Sequence, residues 1–195
     1  MKPTKKIKLK NGLRLLGIDD GYFPKNTIGK VPLIGVITQG NKILEGILIS
    51  QITKDGLDIT KNLIKMIIQS KFYKELNVII TSGNTYGGFN PLNIIELNEE
   101  TSLPVINVTR NLPREKKILM GLKNFPDGDM RYEILKKSGI YYRYRDIFYQ
   151  KRGVSLREAE FILNLSIKNS KIPECVRIAH LIGKAMETGE SGGKA

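Results

Sequence analysis

The sequence has 195 residues, of which 41% are apolar, and 32 Lys and Arg residues against 19 Asp and Glu residues give it a formal net charge of +13 at pH 7. A chain of this size can bury one substantial core, and its one cysteine excludes a scaffold held by internal disulfides. No cluster of His and Cys has the spacing of a zinc site, and no apolar run has the length of a membrane span. We therefore expect a soluble, cytoplasmic protein with a single domain over residues 1–188 and a flexible tail over residues 189–195.

The positive charge indicates what the protein binds. An excess of this size on a small domain favours polyanions, through long-range attraction and the release of counterions. DNA or RNA is therefore the expected partner, although a chain rich in Lys and Ile can also owe its basicity to genome composition or a hot habitat.

The amino-terminal part predicts three antiparallel strands. They are expected over residues 13–19, 31–38 and 41–53, with Gly40 in the hairpin turn between the last two. The charged lead-in, residues 2–10, could add an edge strand.

The middle of the chain alternates helix and strand. The predicted elements are a helix over 57–68, a strand over 76–81, a helix that begins at Pro91 and a strand over 105–108. This order implies right-handed crossovers between parallel strands. We therefore expect an α/β fold in which a mixed sheet, with three antiparallel strands followed by parallel strands, is flanked by helices.

The next segment predicts helices over 113–123 and 127–138 and a strand over 140–149. Ser155 and Glu158 then form the sequence pattern of a capping box, which marks the start of another helix.

The last predicted helix follows Pro173 and runs to about Met186. Cys175 and His180 both fall within its apolar pattern. We interpret the thiol as buried packing, and the imidazole as structural or surface-lying rather than catalytic.

Two carboxylates end the first strand. Asp19 and Asp20 follow a buried run and precede Gly21, a position that is unfavourable unless a metal ion, a basic partner or backbone donors compensate the charge. The alternatives are a metal or catalytic site and a turn with its side chain in water. Asp55 and Asp58 could face the first pair and complete a metal site, or could only turn the chain and cap the helix.

A glycine-rich loop, SGNTYGGFN, follows the strand over 76–81. It could bind phosphate, with Ser82, Gly83, Asn84 and Thr85 as the candidate residues, or it could be a tight turn. The loop lacks the Lys and Ser/Thr ending of a Walker loop.

Five basic residues would supply phosphate contacts if they gather near Asp19, and are otherwise ordinary solvated surface: Arg110, Arg143, Arg145, Lys151 and Arg152. The candidates for binding nucleic acid or phosphate are Arg110, Lys151 and Arg152.

The carboxyl-terminal segment resembles the signature of endonuclease V, in which a V-S-L-x-x-A helix is followed by a segment ending in P-E-x-x-R-x-A. The matching positions are Val154, Ser155, Leu156, Ala159, Pro173, Glu174, Arg177 and Ala179. Gly17-Ile18-Asp19 is similar to the segment that carries the first metal ligand of that family, and Arg110 stands where the family has a lysine at the end of a later strand.

The chain also resembles uncharacterised archaeal proteins, a domain of unknown function related to endonuclease V. The shared segments are GIDDG, DGLD, the glycine-rich loop and FPDG, at residues 17–21, 55–58, 82–90 and 125–128. This resemblance implies a ribonuclease H-like fold and Mg²⁺ or Mn²⁺ as the cofactor.

The sequence departs from endonuclease V at its metal ligands. Ser82 stands where the family has an aspartate, and the glutamate that follows the family's third strand has no clear counterpart. Asp55 or Asp58 could replace that glutamate, and Asp20 adds a carboxylate. The candidate catalytic residues are thus Asp19, Asp20 and Asp58, and the candidate metal ligands are Asp19, Asp20 and Asp55.

Three functions remain open from the sequence. We prefer a nucleic-acid-binding protein of endonuclease V type whose metal chemistry is altered or lost. The second is an active Mg²⁺- or Mn²⁺-dependent endonuclease that acts on DNA or RNA. The third is an enzyme that holds a small phosphate or nucleotide in the loop over residues 82–88.

Overall fold

The computed structural model of the chain describes residues 4–9, 11–24 and 26–192. Its first elements are the antiparallel strands β1 (Arg14–Asp20), β2 (Lys30–Gln39) and β3 (Ile43–Thr53), as predicted. Residues 4–9 form no strand, and residues 2, 3 and 10 of the expected edge strand lie outside the described residues, as do residues 193–195 of the tail.

The alternation of helix and strand in the middle of the chain is confirmed. The elements are α1 (Ile59–Ile68), β4 (Val78–Ser82), β5 (Thr85–Tyr86), β6 (Asn90–Pro91), α2 (Ile94–Thr101) and β7 (Val105–Thr109). The helix expected from Pro91 begins later because β5 and β6 pair within the glycine-rich loop. The side chain of Asn93 then caps α2 by accepting from the N–H groups of Ile95 and Glu96.

The last elements are α3 (Glu115–Leu122), α4 (Gly128–Lys137), β8 (Tyr142–Tyr144), β9 (Ile147–Arg152), α5 (Leu156–Ser166) and α6 (Glu174–Thr188). The single strand predicted over residues 140–149 is wrong. Tyr144 pairs with Ile147 across a two-residue turn, in which Arg145 has a φ of 52°. The capping box of Ser155 and Glu158 is confirmed at the start of α5.

The seven main strands form one mixed sheet with the order β3-β2-β1-β4-β7-β9-β8. β4 is parallel to both β1 and β7, so these three strands end at the same edge. One apolar cluster lies between the sheet and helices α5 and α6, and a second lies between the sheet and helices α1 and α2. Leu15 and Leu16 belong to opposite clusters, and the same alternation directs Asp19 toward α6 and Asp20 toward the other face.

Two glycine contacts seat α6 directly on β1. A Cβ atom at Gly17 would lie 2.4 Å from the carbonyl carbon of Cys175, and one at Gly183 would lie 2.7 Å from the Cα of Gly21. Backbone therefore meets backbone at both points. The Cys175 side chain is buried, as expected from its position in the apolar pattern. These contacts fix the position of His180, which lies between them on α6.

No helix within residues 4–9, 11–24 and 26–192 has the length and apolar character needed to cross a membrane.

Candidate active site at the carboxyl end of the first strand

A carboxylate and an imidazole meet where β1 ends against α6. Nδ1 of His180 donates a hydrogen bond to Oδ2 of Asp19 at 2.9 Å. The Asp19 side chain is only 8% exposed, whereas that of His180 is 50% exposed. The hydrogen bond to Asp19 raises the pKa of His180, against the opposing effects of partial burial and of the nearby Arg110. The carboxylate therefore stabilises the protonated form of the imidazole, whose charge would compensate that of the buried carboxylate.

Asp19 and His180 face a cavity of about 450 Å³ at the carboxyl ends of the parallel strands. Its lining residues are Asp19, Asp20, Ser82, Gly83, Val108, Thr109, Arg110, Asn111, Ile172 and His180. The register explains why they gather, since Ile18 pairs with Thr81 and Thr81 pairs with Asn107, so the residue after each lies at one edge. Open α/β sheets commonly bind their ligands at this edge.

Asp20 lines the same cavity but is anchored to the glycine-rich loop. Its Oδ2 accepts a hydrogen bond from the N–H of Gly87 at 2.6 Å. Burial, followed by the charge of Asp19, raises the pKa of Asp20 to about 6. The protonated form of this carboxyl group is therefore more populated at mildly acidic pH than that of an exposed aspartate.

Asp55 and Asp58 do not line that cavity and instead hold the corner between β3 and the glycine-rich loop. Asp55 accepts from the N–H of Phe89 at 2.8 Å. Asp58 accepts from the N–H and hydroxyl of Thr53, from Lys30 and from the side-chain amide of Asn90. Burial opposes the ionisation of Asp58, but these hydrogen bonds outweigh it and lower its pKa to about 2. Although Asp58 precedes α1, its side chain does not cap that helix.

The backbone donors of the glycine-rich loop are largely engaged within the protein. The N–H of Ser82 donates to the hydroxyl of Tyr86, and the N–H of Gly83 donates to the carbonyl of Val108. Gly87 and Phe89 donate to Asp20 and Asp55, as described above. The loop is therefore tied by carboxylates, and the hypothesis of a backbone phosphate cradle over residues 82–88 gains no support from these bonds.

Side-chain amides line a second cavity, of about 490 Å³, that shares Gly83 and Thr109 with the first. Nδ2 of Asn84 donates to Oε1 of Gln150 at 2.7 Å and to the hydroxyl of Tyr141 at 3.2 Å. The apolar part of its wall consists of Phe89, Pro113, Ile118 and Leu135. Thr85 also lines this cavity. The cavity combines apolar walls with hydrogen-bonding groups, as small-molecule sites do.

The basic candidates separate in the structure. Arg110 lines the cavity of Asp19 and His180. Lys151 and Arg152 pair with Ile106 and Val105, near the start of β7. Asp19 lies at the other end of the parallel strands, where β1 ends. The basic candidates therefore do not all gather near Asp19, because β9 runs antiparallel to β7.

The donor groups determine which metal arrangement the site can hold. Among the described residues, no three His, Cys, Asp or Glu side chains are placed to hold one ion. Mg²⁺ is commonly bound by one or two carboxylates together with waters and substrate phosphates. Oδ1 of Asp19, which has no hydrogen-bond partner within the described ranges, fits that arrangement, and Asp20, whose Oδ2 is bonded to Gly87, lines the same cavity. The residues do not fit a site in which the protein alone encloses two ions.

His180 is the site residue that sequence reasoning missed. Its neighbours in α6 make an apolar pattern, so the sequence favours a structural role, but the side chain is half exposed and contacts Asp19. The available signal was its position three residues after Arg177, within the segment that resembles endonuclease V.

Comparison with known proteins identifies the family. A sequence model of the endonuclease dU family matches residues 11–187. A UPF0215 protein from Methanosarcina acetivorans is 42% identical over 193 residues, which cover 96% of this chain and 97% of the relative.

Solved structures agree with this assignment. A protein of unknown function from Archaeoglobus fulgidus has a TM-score of 0.83 and 35% identity, covering 89% of this chain and 98% of that one. Endonuclease V from Bacillus subtilis has a TM-score of 0.63 and 18% identity, covering 97% and 86%. Endonuclease V from Ciona intestinalis, solved with DNA that contains an inosine followed by a ribo-adenosine, has a TM-score of 0.55 and 15% identity, covering 86% and 82%. The chain belongs to the endonuclease dU family, an endonuclease V-like family of archaeal proteins with a ribonuclease H-like fold.

Proposed function

We propose that this protein binds nucleic acid and hydrolyses a phosphodiester bond at Asp19 and His180. The observation that carries the proposal is the Asp19–His180 pair, which faces a cavity that also contains Arg110. A buried carboxylate, a proton-carrying imidazole and a guanidinium are the groups that a site for an anionic ester needs. The family's name, endonuclease dU, supports the same reaction.

Each side chain has a defined part in this reaction. Arg110 binds and orients the phosphate, because its planar guanidinium can donate two parallel hydrogen bonds. His180 holds a proton on an exposed ring and can transfer it to the leaving oxygen as the bond to phosphorus breaks. Asp19 orients that ring through Nδ1 and stabilises its protonated form. A Mg²⁺ or Mn²⁺ ion held by Asp19 and Asp20 would supply an activated water and neutralise charge on the phosphate.

The substrate class that we propose is DNA that contains deoxyuridine, with RNA as the alternative polymer. The family's name points to deoxyuridine, and an endonuclease V structure contains DNA. The cavity of about 490 Å³ beside the Asp19 site has room for a base, and its aromatic and apolar walls, which include Phe89 and Ile118, can pack against a base taken out of the stack.

A weaker or absent cleavage step is the second candidate function. What supports it is the presence of Ser82 in place of an aspartate, together with the absence of a three-residue ligand cluster among the described residues. In that case the protein binds nucleic acid without efficient hydrolysis.

The test is cleavage of labelled oligonucleotides that carry one deoxyuridine, one inosine or neither, with Mg²⁺ or Mn²⁺ present. The wild-type protein is compared with Asp19→Asn and with Asp129→Asn, which changes an exposed carboxylate on α4. Cleavage by the wild type and Asp129→Asn, but not by Asp19→Asn, supports an endonuclease. Salt-dependent binding without cleavage supports the second candidate. Equal cleavage by all three proteins would indicate a contaminant, and absence of both binding and cleavage would overturn both candidates.

A further inference from the structure

We propose that Lys137, Lys151 and Arg152 form a second phosphate-binding site, separate from the Asp19 centre. They line a cavity of about 250 Å³ together with Ile94, Ile95, Ser138, Gly139, Ile140 and Tyr142. The ligand class is a phosphate group, and we infer that its source is the backbone of a bound nucleic acid. Only the identity of that source rests on the proposed function.

Lys151 is held in place at this cavity. Its Nζ donates to the carbonyl of Val154 at 2.8 Å and lies 5.8 Å from the centroid of the Tyr142 ring. An ammonium group has three donors, so this bond leaves others for a ligand. A fixed cation of this kind loses little conformational entropy when an anion binds. Lys137 is exposed at the end of α4 and adds a second positive charge.

One carboxylate partly offsets the positive charge. Glu99 approaches Arg152, with Oε1 and Nη2 3.9 Å apart. That separation exceeds a direct hydrogen bond, so the guanidinium keeps its donors available. Three cations against one carboxylate leave the cavity positive.

A buried hydroxyl without a partner supports the same assignment. Ser138 lines the cavity, is 7% exposed, and its Oγ is the buried side-chain atom that lacks a hydrogen-bond partner within the described residues. Buried polar atoms in folded proteins are normally paired. A phosphate oxygen in the cavity would accept a hydrogen bond from this hydroxyl once it rotates toward the ligand.

Shared lining residues relate this cavity to the candidate active site. Gly139 lines both this cavity and the one of about 490 Å³. That larger cavity shares Gly83 and Thr109 with the cavity of Asp19. A nucleic acid strand bound at Asp19 can therefore continue past Gly139 to the cations.

The experiment measures equilibrium binding of a thymidine-only single strand of DNA across a salt series, without divalent ions. It compares the wild type with the double variant Lys137→Gln/Arg152→Gln, with Ser138→Ala and with the control Lys61→Gln/Lys71→Gln, whose lysines are exposed and line none of the three cavities. Melting temperatures are recorded for each protein, with and without inorganic phosphate.

We expect the double variant to reduce the slope of log affinity against log salt by about 1.4, since each charge contact contributes about 0.7 on a single strand. The control should change the slope by less than half of that amount. Ser138→Ala should weaken binding about tenfold, the loss typical of a hydrogen bond to a charged group, while its melting temperature stays equal or rises because an unpaired buried hydroxyl has been removed.

Equal slopes for the double variant and the control would overturn the inference, as would unchanged binding by Ser138→Ala. Inorganic phosphate could raise the melting temperature of the wild type but not of the double variant, while the two proteins bind DNA equally. That result would show a phosphate site whose ligand is not the nucleic acid backbone, and it would overturn the inferred source. Because no cleavage is measured, failure here leaves the proposed hydrolysis at Asp19 standing, and failure of that hydrolysis leaves this binding test intact.

Discussion

Asp19 and Asp58 are both aspartates near strand ends, yet the structure treats them in opposite ways. Asp58 accepts hydrogen bonds from four residues, among them Thr53 and Asn90, and joins β3 to the glycine-rich loop. Within the part of the chain that the structure describes, Asp19 has one hydrogen-bond partner, His180, and its side chain lines a cavity. The Asp58 carboxylate is fully engaged by donors of the protein, whereas the Asp19 carboxylate keeps acceptor capacity for a ligand.

Residue type and position along a strand therefore do not distinguish a carboxylate that is engaged by the fold from one that keeps capacity for a ligand. The number of protein donors around each oxygen does. A carboxylate with many donors is held ionised and rigid, whereas one with few donors in a low-dielectric cavity can still bind an ion or a phosphate-bound water. The following predictions test whether Asp19 and Asp58 differ in this way.

The largest expected effect is on cleavage by Asp19→Asn. Removing the charge removes the anionic partner that stabilises protonated His180 and replaces a carboxylate ligand for a divalent ion by a neutral amide, so we expect a loss of about a thousandfold or more in rate, which corresponds to roughly 4 kcal/mol. Stability should change little, because Asn can still accept from His180. A variant that unfolds, or that cleaves within tenfold of the wild type, would remove the distinction between the two aspartates.

Asp58→Ala should instead act on stability. The change leaves the N–H of Thr53 and the amide of Asn90 without their acceptor, and we expect the free energy of unfolding to fall by about 3 kcal/mol. Urea denaturation measures this fall, and cleavage assayed well below the melting temperature should remain near the wild-type rate. An Asp58→Ala protein that is as stable as the wild type but inactive would indicate that Asp58 is catalytic rather than structural.

Asp20 gives a pH-dependent prediction, since its pKa is raised to about 6 in the folded protein from 3.8. A raised pKa stabilises the fold when the group is protonated, and this contribution is lost as pH rises from about 4 through 6. Asp20→Asn has no charge to bury and can still accept from Gly87. Its free energy of unfolding should equal that of the wild type near pH 3.5 and exceed it above pH 6, by roughly 2 to 3 kcal/mol at most.

Denaturation curves between pH 3.5 and 8 provide the measurement for Asp20. If the two proteins differ by the same amount at every pH, burial of the Asp20 charge is not the cause.

The smallest expected effect concerns the contact that positions His180. Gly183→Ala forces a Cβ atom against the backbone of Gly21, and such overpacking typically costs about 1 to 3 kcal/mol. Because the change shifts α6 from β1, the pKa of His180 should fall toward its ordinary value. Gly189→Ala, in open space after α6, is the control for a glycine change on this helix, although its φ of 78° brings some strain of its own. An unchanged His180 pKa in Gly183→Ala would mean that the glycine contacts do not position the ring.

Much of the fold could be predicted because its signals are local. The apolar runs and turn residues predict the antiparallel strands, and Ser155 with Glu158 predicts the start of α5. The alternation of aromatic and charged residues over 140–149 does not predict the turn between β8 and β9. Arg145 adopts a left-handed φ in that turn, and its residue type does not signal this conformation.

The site could be predicted only in part, for a different reason. Asp19 follows from its place after a buried strand. Its partner lies 161 residues away, and nothing in the local pattern around His180 distinguishes a residue that contacts the core from one that turns toward a sheet edge. The structural roles of Asp55 and Asp58 likewise depend on donors from the glycine-rich loop, which only folding brings together.

If Asp19 and His180 form the reactive centre that we propose, a divalent ion bound there lies close to the imidazole, and one feature of the sequence allows a direct test. His180 is the one histidine in the chain, so its imidazole proton signals identify themselves in an NMR spectrum of protein without a histidine tag. We predict that Mn²⁺ at low stoichiometry broadens these signals in the wild type and in Asp58→Asn, but not in Asp19→Asn. Signals that stay sharp in the wild type, or that broaden equally in Asp19→Asn, would contradict the account.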